Sequence, residues 1–141
     1  MRPIAVLDSS VVVSGIGWSG GNARTLLVLL ARRGFISVRT PWLTEEWAEV
    51  TERVSEEIRW QNPNWPNWLD WLKGASLLLD DPPMRRIVRR DPKDDPVVAA
   101  AVSSGAQFLV AYGRHLLDLQ QPYGVKCVTP RDFLAAILRE P

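Results

Sequence analysis

One cysteine, one histidine and no long apolar stretch set the first limits on this 141-residue chain. A single thiol, Cys127, permits no intramolecular disulfide, and with no Cys-x-x-Cys pair there is no zinc knuckle. Cys127 lies in the apolar run Val125-Lys126-Cys127-Val128, where a buried strand thiol is expected. The longest apolar stretch, Thr25 to Ala31, is far too short to span a bilayer, and Met1-Arg2-Pro3 leads straight into a strand rather than a signal segment. The expectation is a cytoplasmic protein with no membrane association. An excess of charge of one sign is lacking too. A formal net charge of +1 gives no global attraction to nucleic acid, so any such footprint must come from local clustering.

What is present suits one globular domain, taken as residues 1–141, because 46% hydrophobic and 23% charged residues allow a single core at this length. Ile4-Ala5-Val6-Leu7 is a continuous apolar run, as in a strand buried on both faces, and it stops at Asp8. A Gly-rich loop from Ser14 to Gly21 follows. Asn22 then reads as the cap of a helix that faces Leu26, Leu27, Leu29 and Leu30 inward and ends at Gly34. Phe35 to Val38 is a second strand. Thr40-Pro41 opens a helix with proline at its first position, and Leu43, Trp47, Val50 and Val54 mark its buried stripe, with Glu46 on the flank.

Residues 60 to 72 hold four of the seven tryptophans, Trp60, Trp65, Trp68 and Trp71. Trp68, Trp71 and Leu72 suit one packed helical face, whereas Trp60 or Trp65 could stack on bases or anchor a partner. Ala75 to Leu79 is a third apolar run. Asp94 or Asp95 caps the next helix, whose apolar side is Val97, Val98, Ala101 and Val102 and which Gly105 stops. Phe108 to Val110 and Val125 to Val128 are further strands, with a short turn or helix at Leu116 and Leu117 between them. Thr129-Pro130 starts a closing helix through Phe133, Leu134, Ile137 and Leu138. Strands alternating with helices predict an α/β domain with a mainly parallel central sheet flanked by helices on both faces.

In open α/β sheets, sites form outside the carboxyl ends of the strands. Asp8 ends one strand, Glu46 lies early in a helix that a strand delivers to that rim, and Asp95 starts another helix there. Three carboxylates drawn together repel unless a cation neutralises them, and oxygen-only ligation selects Mg²⁺ or Mn²⁺ over zinc. Such an ion activates water and stabilises charge on a phosphate, so the pattern points to phosphodiester chemistry. Just ahead of Asp95 come Arg85, Arg86, Arg89, Arg90 and Lys93, either a phosphate-binding cluster or a solvated loop balanced by Asp80, Asp81, Asp91, Asp94 and Asp95.

The run Val6-Leu7-Asp8-Ser9-Ser10-Val11-Val12-Val13-Ser14 resembles the opening of PIN domains, and Leu43-Thr44-Glu45-Glu46-Trp47 resembles their helix carrying the second acid. Asp91-Pro92-Lys93-Asp94-Asp95-Pro96-Val97-Val98-Ala99-Ala100-Ala101 is similar to their third-acid block, and Gly105-Ala106-Gln107-Phe108-Leu109-Val110 to the strand after it. The resemblance extends to Thr129-Pro130-Arg131-Asp132-Phe133-Leu134 and is strongest to toxin components of toxin–antitoxin systems, the VapC type. It implies an RNA substrate, a single-strand-directed ribonuclease using Mg²⁺ or Mn²⁺, often a homodimer, held inactive by an antitoxin protein. On this resemblance Asp8, Glu46 and Asp95 are the catalytic and metal-binding acids and Ser10 supports Asp8. Asp91, Asp94 and His115 are auxiliary candidates, and Arg89, Arg90, Lys93 and Arg114 would contact RNA.

One segment departs from the pattern. Where the family reads Leu-Val-Thr-x-Asp-x-Asp-Leu, this chain reads Leu109-Val110-Ala111-Tyr112-Gly113-Arg114-His115-Leu116. Gly113 stands for the fourth acid, His115 for the next and Ala111 for the supporting hydroxyl, which implies weaker metal binding. His115 as a substitute ligand would shift preference toward Mn²⁺. The competing reading is a PIN fold that binds RNA or a protein and no longer cuts. Two other enzyme classes fit less well: Gly17-Trp18-Ser19-Gly20-Gly21 matches a nucleophile-elbow pattern, and Asp8 as a phosphoryl acceptor would want an acid where Ser10 stands.

Overall fold

The computed structural model describes residues 2–58, 60, 62–82 and 95–139. Five strands, β1 (Ile4–Leu7), β2 (Ile36–Arg39), β3 (Leu77–Leu78), β4 (Phe108–Val110) and β5 (Lys126–Val128), form one sheet in the order β3-β2-β1-β4-β5. Every neighbouring pair is parallel, with Val6 opposite both Val38 and Leu109. The helices that flank it are α1 (Ser9–Gly17), α2 (Asn22–Ala31), α3 (Pro41–Glu57), α4 (Trp65–Ala75), α5 (Asp95–Ser103), α6 (Arg114–Leu117) and α7 (Pro130–Arg139). The predicted α/β class with a parallel central sheet is what the chain adopts, and the sheet is wholly parallel rather than mainly so. Among the described residues no helix is long and apolar enough to cross a membrane.

β1 is central and buried on both faces, as a continuous apolar run requires. Pleating sends Phe108 of β4 toward α7, where Phe133 stands edge-on to both Phe108 and Phe35 at centroid distances of 5.1 and 5.0 Å. Cys127 is buried in β5, and desolvation pushes its thiol up to about 11. At pH 8 only about one thiol in a thousand is then ionised, so a maleimide should label the folded protein far more slowly than the urea-unfolded chain, read by mass.

Several local expectations are corrected. The segment expected as a loop from Ser14 is helical as far as Gly17, because glycine there permits close packing. A Cβ on Gly15 would meet Leu27 Cδ1 at 2.7 Å and the Ala23 carbonyl oxygen at 3.0 Å. Gly21, not Asn22, is the N-cap of α2, and no side chain caps it. Thr40 does cap α3, its Oγ1 accepting from the Leu43 amide at 3.2 Å with Pro41 next in line. The buried stripe of α3 runs Leu43, Trp47, Thr51 rather than through Val50 and Val54, which are half-buried. Thr51 satisfies its hydroxyl by donating to the Trp47 carbonyl at 2.6 Å. On α4 the buried residues are Leu69 and Leu72, while Trp71 is 36% exposed and Trp68 carries the Arg24 guanidinium 4.0 Å above its ring. α5 ends as expected at Gly105, whose φ of +70° suits glycine, with the Ala106 amide donating back to the Ala101 carbonyl at 3.0 Å.

Candidate active site

From β1 the chain steps outward to β2 and β3, then returns across the sheet to β4 and β5. The strand order therefore reverses between β1 and β4, and the crevice at their carboxyl ends is where such sheets bind ligands. Asp8 sits in it. Its amide donates to the Val110 carbonyl at 2.9 Å, which joins the end of β1 to the end of β4. Its side chain caps α1 and is only 9% exposed.

Ser10 holds that carboxylate in one orientation. Its hydroxyl donates to Asp8 Oδ2 at 2.7 Å and its amide to the same oxygen at 3.3 Å. The Tyr112 amide donates into the Ser10 hydroxyl oxygen at 3.2 Å, so the hydroxyl proton is directed at Asp8. Among the described residues no cationic side chain pairs with Asp8. Burial accordingly raises its carboxyl above the ordinary 3.8, and the hydroxyl and amide of Ser10 and the Ser9 amide offset part of that rise.

The turn of α3 that carries Glu46 is held at this rim by the next residue. Trp47 is fully buried and its indole N–H donates to the Leu7 carbonyl at 2.8 Å, which ties the second turn of α3 to the last residue of β1. Asp95 is the first residue of α5, which packs on β1, β4 and α3. A helix that feeds a parallel strand from behind starts at the carboxyl rim, so the backbone puts Asp95 at the same edge. Its side chain lies outside the described part, as do Asp91, Asp94, Arg89, Arg90 and Lys93 altogether. Among the described side chains no three of His, Cys, Asp and Glu come together as a metal cage. Glu46 and Asp95 are candidate oxygen donors beside Asp8, and a buried, raised carboxylate that no described cationic side chain pairs suits a hard divalent cation.

The β4 side of the crevice supplies no acid. Ala111 is fully buried, and Tyr112, Gly113, Arg114 and His115 are all exposed, the last two opening α6. Gly113 has ordinary extended dihedrals, φ −66° and ψ 132°, and a Cβ there would meet nothing within 4 Å. The missing acid is thus a matter of chemistry and not of space. Ser19 of the elbow-like pattern follows α1, a helix, so it lacks the strand-to-helix turn a nucleophile elbow requires. Sequence reasoning overlooked the Trp47 anchor and the Tyr112 amide. An indole next to Glu46 within an otherwise aliphatic stripe was the available signal for the first, and backbone contacts leave none for the second.

A doubly wound parallel sheet with a buried carboxylate at its switch point defines an α/β protein built to act on a ligand at the strand ends. The PIN domain profile matches residues 5–115, and the chain belongs to the PIN domain family. Members are generally metal-dependent nucleases that use Mg²⁺ or Mn²⁺. A search of curated proteins returns no match. Among solved structures, the fold is similar to that in the crystal structure of PAE2754 from Pyrobaculum aerophilum, with a TM-score of 0.67 and 18% identity over 98% of this chain and 91% of that one.

Proposed function

We propose that this protein is a divalent-metal-dependent endoribonuclease, the cytoplasmic toxin component of a toxin–antitoxin pair, acting as a homodimer restrained by an antitoxin protein. The observation that carries the nuclease reading is Asp8: a carboxylate held nearly out of water at the switch point, oriented by Ser10 and, among the described residues, without a cation beside it. Asp8, Glu46 and Asp95 would hold Mg²⁺ or Mn²⁺. When bound, the ion supplies an activated water and neutralises charge on the scissile phosphate.

The protein's own part is orientation. Ser10 occupies Oδ2 of Asp8 with two donors, so the other carboxylate oxygen is the one offered to the crevice. Trp47 holds the Glu46 turn against β1, and β4 closes the far wall. Arg114, together with Arg89, Arg90 and Lys93, would neutralise phosphates along the strand. Cleavage of a mixed single-stranded RNA pool with Mn²⁺ or Mg²⁺, comparing wild type with Asp8→Asn, tests the reading directly. No cleavage by either folded protein would reject it.

The acid-free segment Ala111 to His115 favours a second reading, a PIN fold that binds RNA or protein without cutting. It also sets a prediction. Because the space at Gly113 is open, Gly113→Asp should fold normally and tighten Mn²⁺ binding by roughly tenfold, the effect of one added carboxylate at partial exposure. Calorimetric titration of both proteins checks this, and an unchanged affinity removes Gly113 from the metal site.

A further inference from the structure

We propose that Tyr112 is a stacking platform for an unpaired nucleobase next to the scissile phosphate, and that it sets the preference for single-stranded RNA. The inference rests on the nucleic-acid reading of the Asp8 crevice. Tyr112 leaves β4 at the switch point and is 43% exposed, while the preceding Ala111 is fully buried. Its backbone is fixed to the site itself: the Tyr112 amide donates to Ser10 Oγ at 3.2 Å, and that hydroxyl donates to Asp8 Oδ2 at 2.7 Å. Two hydrogen bonds therefore separate the tyrosine main chain from the carboxylate, so a nucleotide with its phosphate at Asp8 has its base within reach of the ring.

The neighbours of Tyr112 suit the same occupant. A Cβ on Gly113 would meet nothing within 4 Å, which leaves open space alongside for a planar base. Arg114 is exposed one residue further on, and no acid stands anywhere from Ala111 to Leu117 to repel a phosphate. Base–aromatic stacking is tolerant of sequence because every base has a π-face, and it needs the base free of a duplex. A platform held by its backbone also loses little freedom on binding.

The test uses the whole 141-residue chain in the Asp8→Asn background, where binding is read without cleavage, by fluorescence anisotropy of a labelled single-stranded RNA and its duplex. Tyr112→Ala should weaken single-strand binding roughly tenfold and erase most of the preference over duplex. Tyr112→Phe should keep both, since stacking does not use the hydroxyl. The structural contact is through the amide, which alanine retains, and unchanged Mn²⁺ affinity when Tyr112→Ala is made alone would separate stacking from damage to the metal site. Equal RNA affinity with and without Tyr112→Ala, or no RNA affinity in either protein, overturns the proposal. Weaker binding by Tyr112→Ala together with a wild type that never cuts would support the platform and reject the nuclease reading, so the two fail separately.

Discussion

Asp8→Asn should abolish RNA cleavage and at the same time raise the thermal midpoint of the metal-free protein at pH 7. The loss should exceed the roughly 100-fold expected for removing an outer supporting partner, because Asn keeps the Ser10 contacts and deletes only the charge that draws a cation. The gain in stability follows from burial, which lifts the Asp8 carboxyl above 3.8. Stability owed to neutral Asp8 is complete below the unfolded value and is lost as pH climbs through the raised folded value, leaving a buried anion at neutral pH. Asn removes that cost, so the variant should melt at the higher temperature at pH 7. The difference between the two proteins should shrink as pH falls toward 4, and Mn²⁺ should raise the midpoint of wild type but not of the variant. Differential scanning fluorimetry across pH, with and without Mn²⁺, measures all three. A variant less stable than wild type at pH 7 would refute the buried-anion account.

Trp47→Ala should cost about 3–5 kcal/mol, a large share of the roughly 5–15 kcal/mol such a domain commands. The side chain is fully buried against the central strand, so the loss combines a large cavity with an unpaired Leu7 carbonyl. Trp47→Phe isolates the second term. It keeps most of the packing, should cost about 1–3 kcal/mol in a urea titration, and releases the turn that carries Glu46 from β1. Mn²⁺ affinity should then fall about tenfold, as outer partners of metal ligands typically show. Phe133→Leu, on the helix packed over β4 and far from Trp47 in the chain, serves as the stability-matched control. Affinity unchanged in Trp47→Phe, or lowered equally in Phe133→Leu, would reduce Trp47 to ordinary packing.

The parts legible in the sequence were those where local chemistry and tertiary demand agree. Ile4 to Leu7 reads as a doubly buried strand because it is one, and Thr40-Pro41 caps α3 with the hydroxyl that the pattern implies. The same holds for Gly105, the one position near β4 where a left-handed backbone is needed. The sequence pattern offers no helix at α1, where Gly15 and Gly17 have poor helix propensity, and only the approach of Leu27 and Trp60 to within about 3 Å of their missing side chains explains them. Helical spacing puts Trp68 and Trp71 with Leu72 on one packed face, and Leu72 is buried there. The two tryptophans lie instead at the margin, where Leu69 and Leu72 fill the interior and Arg24 stacks on Trp68. β3 was expected as part of a longer apolar run, yet as an edge strand of two residues it exposes Leu77 and Leu78 by 56% and 52%. Of the crevice, the apolar run that ends at Asp8 marks the carboxyl end of β1, and strand order gives the rim to which Glu46 and Asp95 are expected to come. The bonds that orient Asp8 and the Glu46 turn are not legible, because Val110, Leu7 and Tyr112 take part through backbone atoms, which carry no residue signature.

Ala5 lies opposite Phe108 in the sheet, so the central strand takes its second partner from more than a hundred residues later in the chain. At a synthesis rate of roughly 5–20 residues per second, a nascent β1 waits roughly 4–14 s with one apolar edge unpaired after β2 has joined the other. That interval invites chaperone capture, and slow codons between β3 and β4 would prolong it. The crevice is completed late as well, since the Val110 carbonyl and Tyr112 amide that hold Asp8 and Ser10 emerge only with β4 and the residues just after it. A ribosome making this protein therefore carries an unfinished crevice until β4 has been synthesised.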